Sequence, residues 1–371
     1  MSSSPSLQIP ERLLLGPGPS MVHPRVLHAM SQPVLGHLDP QFLALMSQIQ
    51  DQLRFVFETK NEMTIPISGT GSAAMECALS NLIERGDSVI VCVNGYFGTR
   101  MCDMAVRYGA TVRRLDRRWG EVFSLDEIET ELKKGPAKLV ALVHAETSTG
   151  ALQPLDGLAE LVHRYGALLV LDCVTSLGGL PVRTDEWDID IAYSGTQKCL
   201  GAPPGLGPVT VGPRAREALR QRKSLVGNWY FDLTQLEKYW GDARTYHHTA
   251  PISMNYALFE ALQLVREEGL QARFARHRRH AEMLWQGLEE MDLALHVPLK
   301  YRLPTLTTVR VPEGVNDAAL RGRLLKEYNI EIAGGFGELA GKIWRIGLMG
   351  HSSRPENVTL LLGALKTILG R

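Results

Sequence analysis

Charge of one sign is the first thing this chain lacks. Its 371 residues carry 40 basic side chains (Lys, Arg) and 40 acidic ones, a formal net charge of zero. Bulk electrostatics therefore argue against a dedicated partner for nucleic acid or for an anionic membrane surface. No apolar run approaches the ~18 residues of a spanning helix. The segment Met1–Gly16 has neither the basic region nor the long apolar stretch of a secretory signal. The last residues, Ile368-Leu369-Gly370-Arg371, match neither the ER-retention nor the SKL-type peroxisomal address. Cysteine is scarce: Cys77, Cys92, Cys102, Cys173 and Cys199 are odd in number, form no CxxC, and stop at position 199. That pattern predicts reduced thiols in a cytoplasmic protein. No repeat occurs, and only the Ser-rich tip is of low complexity. No metal is expected, because the adjacent His247 and His248 share no face and have no acidic or Cys partner at ligand spacing. The basic run Arg273, Arg276, Arg278 and Arg279, with His277 and His280, reads as a solvated helix face.

What is present is an ordinary globular composition, 44% hydrophobic and 22% charged. The length predicts more than one domain. Apolar segments at Met63–Ser68, Ser88–Val93, Lys138–His144, Leu168–Asp172 and Ile189–Ser194 read as strands. Amphipathic stretches at Ser72–Arg85, Phe97–Tyr108 and Leu158–Tyr165 read as helices, each closed by a glycine or running up to one. Strands apolar throughout and alternating with helices predict an α/β large domain. Its sheet is mainly parallel, with helices on both faces. Beyond about residue 268 a long charged helix is followed by strand, helix, strand and helix, read as a smaller C-terminal α+β domain. The expected division is an N-terminal arm (1–20), a large domain (21–268) and a small domain (269–371).

Three features carry chemistry. Ser68-Gly69-Thr70-Gly71-Ser72 lies between a strand and a helix, where free N–H groups and the helix dipole bind an anion such as phosphate. A plain glycine turn with Ser72 as N-cap also fits it. A dinucleotide site would want an acidic residue about 20 positions on, at the next strand end, but that strand ends at Val93-Asn94. Asp172 ends a wholly apolar strand, where a carboxylate needs a partner or a capping role. Lys198 follows a strand directly. Desolvation there lowers an amine's pKa and makes it a nucleophile towards carbonyls, although a surface Lys is the commoner use. A phosphate cup, a strand-end carboxylate and a strand-end amine at one sheet edge match the three handles of pyridoxal phosphate.

These residues, with Leu15-Gly-Pro-Gly-Pro-Ser20, His144-Ala-Glu-Thr-Ser-Thr-Gly150, Ser194-Gly-Thr-Gln-Lys198, Ala202-Pro-Pro-Gly205, Tyr246-His-His-Thr249 and Arg345-Ile-Gly347, stand in the order of a known family. The chain resembles the class V aminotransferases of fold type I, in particular the alanine–glyoxylate / serine–pyruvate group. The resemblance implies that Lys198 anchors the cofactor covalently and shuttles the proton, and that Asp172 pairs with the ring nitrogen. It implies Val174 on one ring face and Phe97 on the other, where mammalian members usually have Trp. Thr70, Gly71, Ser72 and Gln197 would hold the phosphate, and Thr147 the phenolic oxygen. Tyr246 and Thr249 would reach the phosphate of a partner subunit. Arg345 would clamp the substrate carboxylate, with Gly18 and Ser20 lining the substrate side.

The implied activity is a ping-pong transamination from alanine or serine to glyoxylate or pyruvate. The alternative is a related donor: ureidoglycine, aminoethylphosphonate or hydroxykynurenine. A cysteine desulfurase would need a Cys beyond the lysine in the small-domain region, and none follows Cys199. A non-catalytic relative would not need Lys198, Asp172 and Arg345 together. A homodimer with shared sites is expected, because the connection Ser224–Thr245 carries Trp229, Tyr230, Phe231, Tyr239 and Trp240; the alternative is that these rings fill the cleft between the two domains of one chain.

Overall fold

The computed structural model describes residues 7–371; the first six positions of the expected arm lie outside the described residues. A seven-stranded sheet organises the molecule. Its strands are β1 (Met63–Ser68), β2 (Ser88–Val93), β3 (Thr111–Asp116), β4 (Leu139–Val143), β5 (Leu168–Asp172), β6 (Ile191–Tyr193) and β7 (Leu206–Val211). They lie in the order β1-β7-β6-β5-β4-β2-β3. Neighbours from β6 to β3 are parallel, whereas β7 runs antiparallel to both β1 and β6. The sheet is thus mainly parallel, as expected, with one reversed strand. The chain between β6 and β7 carries no α-helix to return it to the far end, so β7 folds straight back.

Both faces of the sheet are buried, which explains the uninterrupted apolar strands. Val89, Val91 and Val93 pack on one side with Ala74, Met75 and Leu79. Ile90 and Cys92 face the other, with Leu158, Val162, Leu258 and Leu262. The register sets Asp172 level with Val143 on one neighbour and Tyr193 on the other.

A second apolar cluster gathers Leu284, Leu288, Val309, Leu324, Trp344, Ile346 and Leu361 around a three-stranded sheet. The sheet's strands are β8 (Leu306–Arg310), β9 (Ala333–Gly334) and β10 (Ile343–Gly347). Leu13–Leu15 belong to this layer: Leu15 is buried in its core, and Leu13–Leu14 pairs in parallel with Ile330–Glu331. From Leu13 onward the expected arm is therefore part of the fold. The basic run on helix Leu270–Glu289 is a solvated face only in part, at Arg278 and Arg279. Arg273, His277 and His280 are buried. Arg273 donates to the carbonyls of Gly178 and Cys199, both at 2.7 Å, and pairs with Glu268. Those two carbonyls face the helix, and a guanidinium can satisfy both at once.

Candidate active site

The carboxyl ends of the strands open into a cleft of about 380 Å³. Thr70, Gly71, Ser72, Phe97, Asp172, Val174, Gln197 and Lys198 all line it. The cup is the start of helix Gly71–Leu82. Thr70, not Ser72, is its N-cap, and no side chain caps the first N–H groups. Ala73 and Ala74 donate to the Thr70 carbonyl, while the N–H groups of Gly71 and Ser72 have no acceptor among the described residues and are available to an anion. Ser72 instead accepts a hydrogen bond at 2.7 Å from Arg100, a residue the sequence did not single out. Gly71 packs so closely that a Cβ there would lie 3.3 Å from Val174. Gln197 is half-buried, and its buried amide oxygen has no partner among the described residues. A half-turn of that amide offers its NH2 to the same anion.

Asp172 is 2% exposed. One oxygen accepts from the Val174 N–H at 2.9 Å, the other from the Tyr193 hydroxyl at 3.0 Å. Burial still pushes its carboxyl up to about 7. Among the described residues it has no ion-pair partner, and a cation placed beside it would favour the anion. Lys198 is buried as well, and burial lowers its ammonium to about 8. Its Nζ donates to the Pro17 carbonyl. Gly18, at φ +107, makes room for it, since a Cβ there would stand 2.6 Å from Nζ. Ser20 braces the lysine from behind, its hydroxyl donating to the Lys198 carbonyl at 2.8 Å. That hydroxyl is therefore already engaged by the backbone.

Arg345 lies on β10, buried, and burial lowers its guanidinium to about 10. Nε donates to Gly334 at 2.7 Å and Nη1 to the Thr147 carbonyl at 3.4 Å. It has no ion-pair partner among the described residues. Three of its five N–H bonds remain, enough for a bidentate carboxylate. Thr147 is buried beside it.

The sequence reading also missed Glu146. This fully buried carboxylate accepts from the Ser148 N–H at 2.9 Å, the Ser148 hydroxyl at 2.7 Å and the Phe97 N–H at 3.2 Å. It ties the start of helix Tyr96–Arg107, and so Phe97, to the strand-end segment carrying Thr147. A Cβ at Gly95 would run into it. The signal was present, since an acid inside an apolar strand-end segment needs donors, but the donors come from another element.

Tyr246 and Thr249 are not among the residues lining their own chain's cleft. Tyr246 is 58% exposed. The five nearby aromatics do not form one exposed patch. Tyr239 and Trp240 are buried in the main core, and Phe231 packs against it; Trp229 and Tyr230 are exposed. Helix Leu233–Trp240, unread in the sequence, turns two rings inward. His247 and His248 bond to each other through Nδ1 at 2.8 Å, and His248 reaches Ser68 at 2.6 Å.

Residues 12–345 match the family described as aminotransferase class-V. The alanine–glyoxylate aminotransferase of Rattus norvegicus is 43% identical, covering 99% of this chain and 89% of its own length. The (S)-ureidoglycine–glyoxylate transaminase of Bacillus subtilis is also 43% identical, covering 100% of this chain and 94% of its own. Among solved structures, an alanine–glyoxylate aminotransferase from Nostoc sp. superposes with a TM-score of 0.98 at 55% identity, covering 99% and 97% of the two chains.

Proposed function

The chain belongs to the class-V aminotransferases, and we propose that it moves an amino group from alanine or serine to glyoxylate or pyruvate with pyridoxal phosphate. The observation that carries this reading is the convergence of Lys198, Asp172 and an uncapped helix N-terminus on one cleft. Pyridoxal phosphate, when bound, supplies a conjugated ring that accepts the electron pair left at the substrate Cα. Asp172, as its anion, favours the protonated ring nitrogen. Thr70, Gly71, Ser72 and Gln197 hold the phosphate, while Phe97 and Val174 cover the ring faces and Thr147 meets the phenolic oxygen. Arg345 grips the α-carboxylate and so fixes the Cα–H bond relative to Lys198. The Lys198 amine, neutral above about pH 8, takes the proton from Cα. Gly18 and Ser20 complete the substrate side, Gly18 by leaving space and Ser20 by holding the lysine backbone.

The same proposal makes the protein a homodimer in which Tyr246 and Thr249 reach the phosphate in the other chain. Their absence from their own cleft supports it. It also divides the chain into 21–268 and 269–371, at Gly269 between two long helices. Five unpaired, buried thiols suit a reducing, cytoplasmic setting. Among the described residues no helix is long and apolar enough to cross a membrane.

The test is a donor panel. Cofactor-loaded protein is mixed with single amino acids, ureidoglycine included because the Bacillus subtilis relative is as similar as the rat one. The cofactor's absorbance reports which donors give up their amino group. Alanine or serine should change it fastest. A spectrum unmoved by every donor would overturn the reading.

A further inference from the structure

Two aromatic rings meet at the rim of the cleft, and neither belongs to the machinery above. Tyr96 opens helix Tyr96–Arg107 beside the main sheet. Phe336 stands in the loop between β9 and β10, in the other layer. Their centroids are 5.3 Å apart at 45°, the contact distance of a packed aromatic pair. Both line the cleft, yet they keep 40% and 41% of their surface exposed. One side of the pair therefore faces the cleft and the other faces solvent.

Each ring is pinned by a guanidinium. Arg100 lies 5.2 Å from the Tyr96 centroid and is itself held by Ser72. Arg345 lies 3.9 Å from the Phe336 centroid. A cation over a ring face at this range is attracted to it, more strongly where water is excluded. The second pairing matters most, because Arg345 is the group placed to orient a substrate carboxylate. A side chain leaving Cα beside that clamp meets a closed aromatic wall built from two layers of the fold.

We propose that Tyr96 and Phe336 form a specificity wall that admits amino acids with short side chains, such as alanine and serine, and rejects branched or long ones. The proposal rests on the transaminase reading of the same cleft. It adds to that reading two residues that choose the substrate without touching the reacting bonds. The two rings themselves offer no charge to an acidic or basic side chain.

Tyr96→Ala, Phe336→Ala and the double variant test it. For each, kcat/KM is measured with alanine and with leucine, glyoxylate being the acceptor. In parallel, calorimetry gives the affinities of two unreactive carboxylates, propanoate and 4-methylpentanoate. The leucine-to-alanine ratio should rise about 10- to 100-fold in the double variant, the range that a few methylenes command in a pocket. The affinity of 4-methylpentanoate relative to propanoate should rise in step. Unchanged ratios in a folded double variant with full cofactor content would overturn the wall. If the parent converts no amino acid at all, the transaminase reading fails on its own, and the carboxylate ratio still decides the wall.

Discussion

In the cofactor-free protein, burial favours the protonated form of Asp172. Burial raises its carboxyl from 3.8 to about 7, so between those values the cofactor-free folded state binds more protons than the unfolded one. Stability then falls as pH rises through that window, because the anion is being forced into a dry site. Asp172→Asn removes this titration and can keep both hydrogen bonds, its oxygen accepting from the Val174 N–H and its NH2 donating to the Tyr193 hydroxyl oxygen. The cofactor-free variant should melt at a higher temperature than the parent above pH ~7 and lose that advantage towards pH ~4. Its turnover should fall by several orders of magnitude, since a neutral partner no longer favours the protonated ring. Thermal scans at the two pH values, beside a rate assay, check both halves; near-normal turnover would make Asp172 a structural carboxylate. The role proposed for Arg345 is geometric. Arg345→Lys keeps the charge but loses the fork, so every amino acid and oxo acid should bind more weakly, by ~1–3 kcal/mol. Steady-state KM values for donor and acceptor measure it; a loss confined to one class of side chain would place Arg345 elsewhere in the pocket.

The elements that present these residues differ in how plainly the sequence announces them. β1, β2 and β5 were bounded to the residue, because each is an apolar block between turn residues and buried on both faces. β7 was not seen: Gly207 and Pro208 sit within it, and a proline inside a central strand is a signal against one, whereas Pro66 of β1 lies on an edge strand, where a proline is tolerated. β3 was missed for the opposite reason, being a polar edge strand with none of its residues buried. The cup, Asp172 and Lys198 were legible because strand ends and glycine turns mark them locally. Glu146, Arg100 and Arg273 were not, because their partners lie far off in sequence and only the fold brings them together. Helix Leu270–Glu289 shows the consequence. Arg273→Leu leaves the Gly178 and Cys199 carbonyls buried without donors, and Glu268 without one of its cations. It should destabilise the protein by ~3 kcal/mol. Because Cys199 adjoins Lys198, the proposed anchor, cofactor content should drop too. Denaturant unfolding gives the first quantity and absorbance the second; a loss of stability with full cofactor retention would confine Arg273 to the core.

For the whole molecule, the proposed dimer makes each site depend on two chains. Tyr246 and Thr249 then serve a phosphate that their own Lys198 does not hold. A Lys198→Ala protein mixed with a Tyr246→Phe, Thr249→Ala protein under subunit exchange should recover activity well above either parent. One of the two sites in each heterodimer escapes both lesions. Proven heterodimers with no recovery would mean that each chain builds its phosphate site alone.

The account turns on Lys198 as the covalent anchor at the centre of the cleft. The direct measurement is borohydride reduction of the cofactor-loaded protein, followed by peptide mapping by mass. The expected result is a single reduced adduct on the peptide carrying Ser194-Gly-Thr-Gln-Lys198, absent in Lys198→Ala. An adduct on another lysine, or one that survives the substitution, would contradict the account.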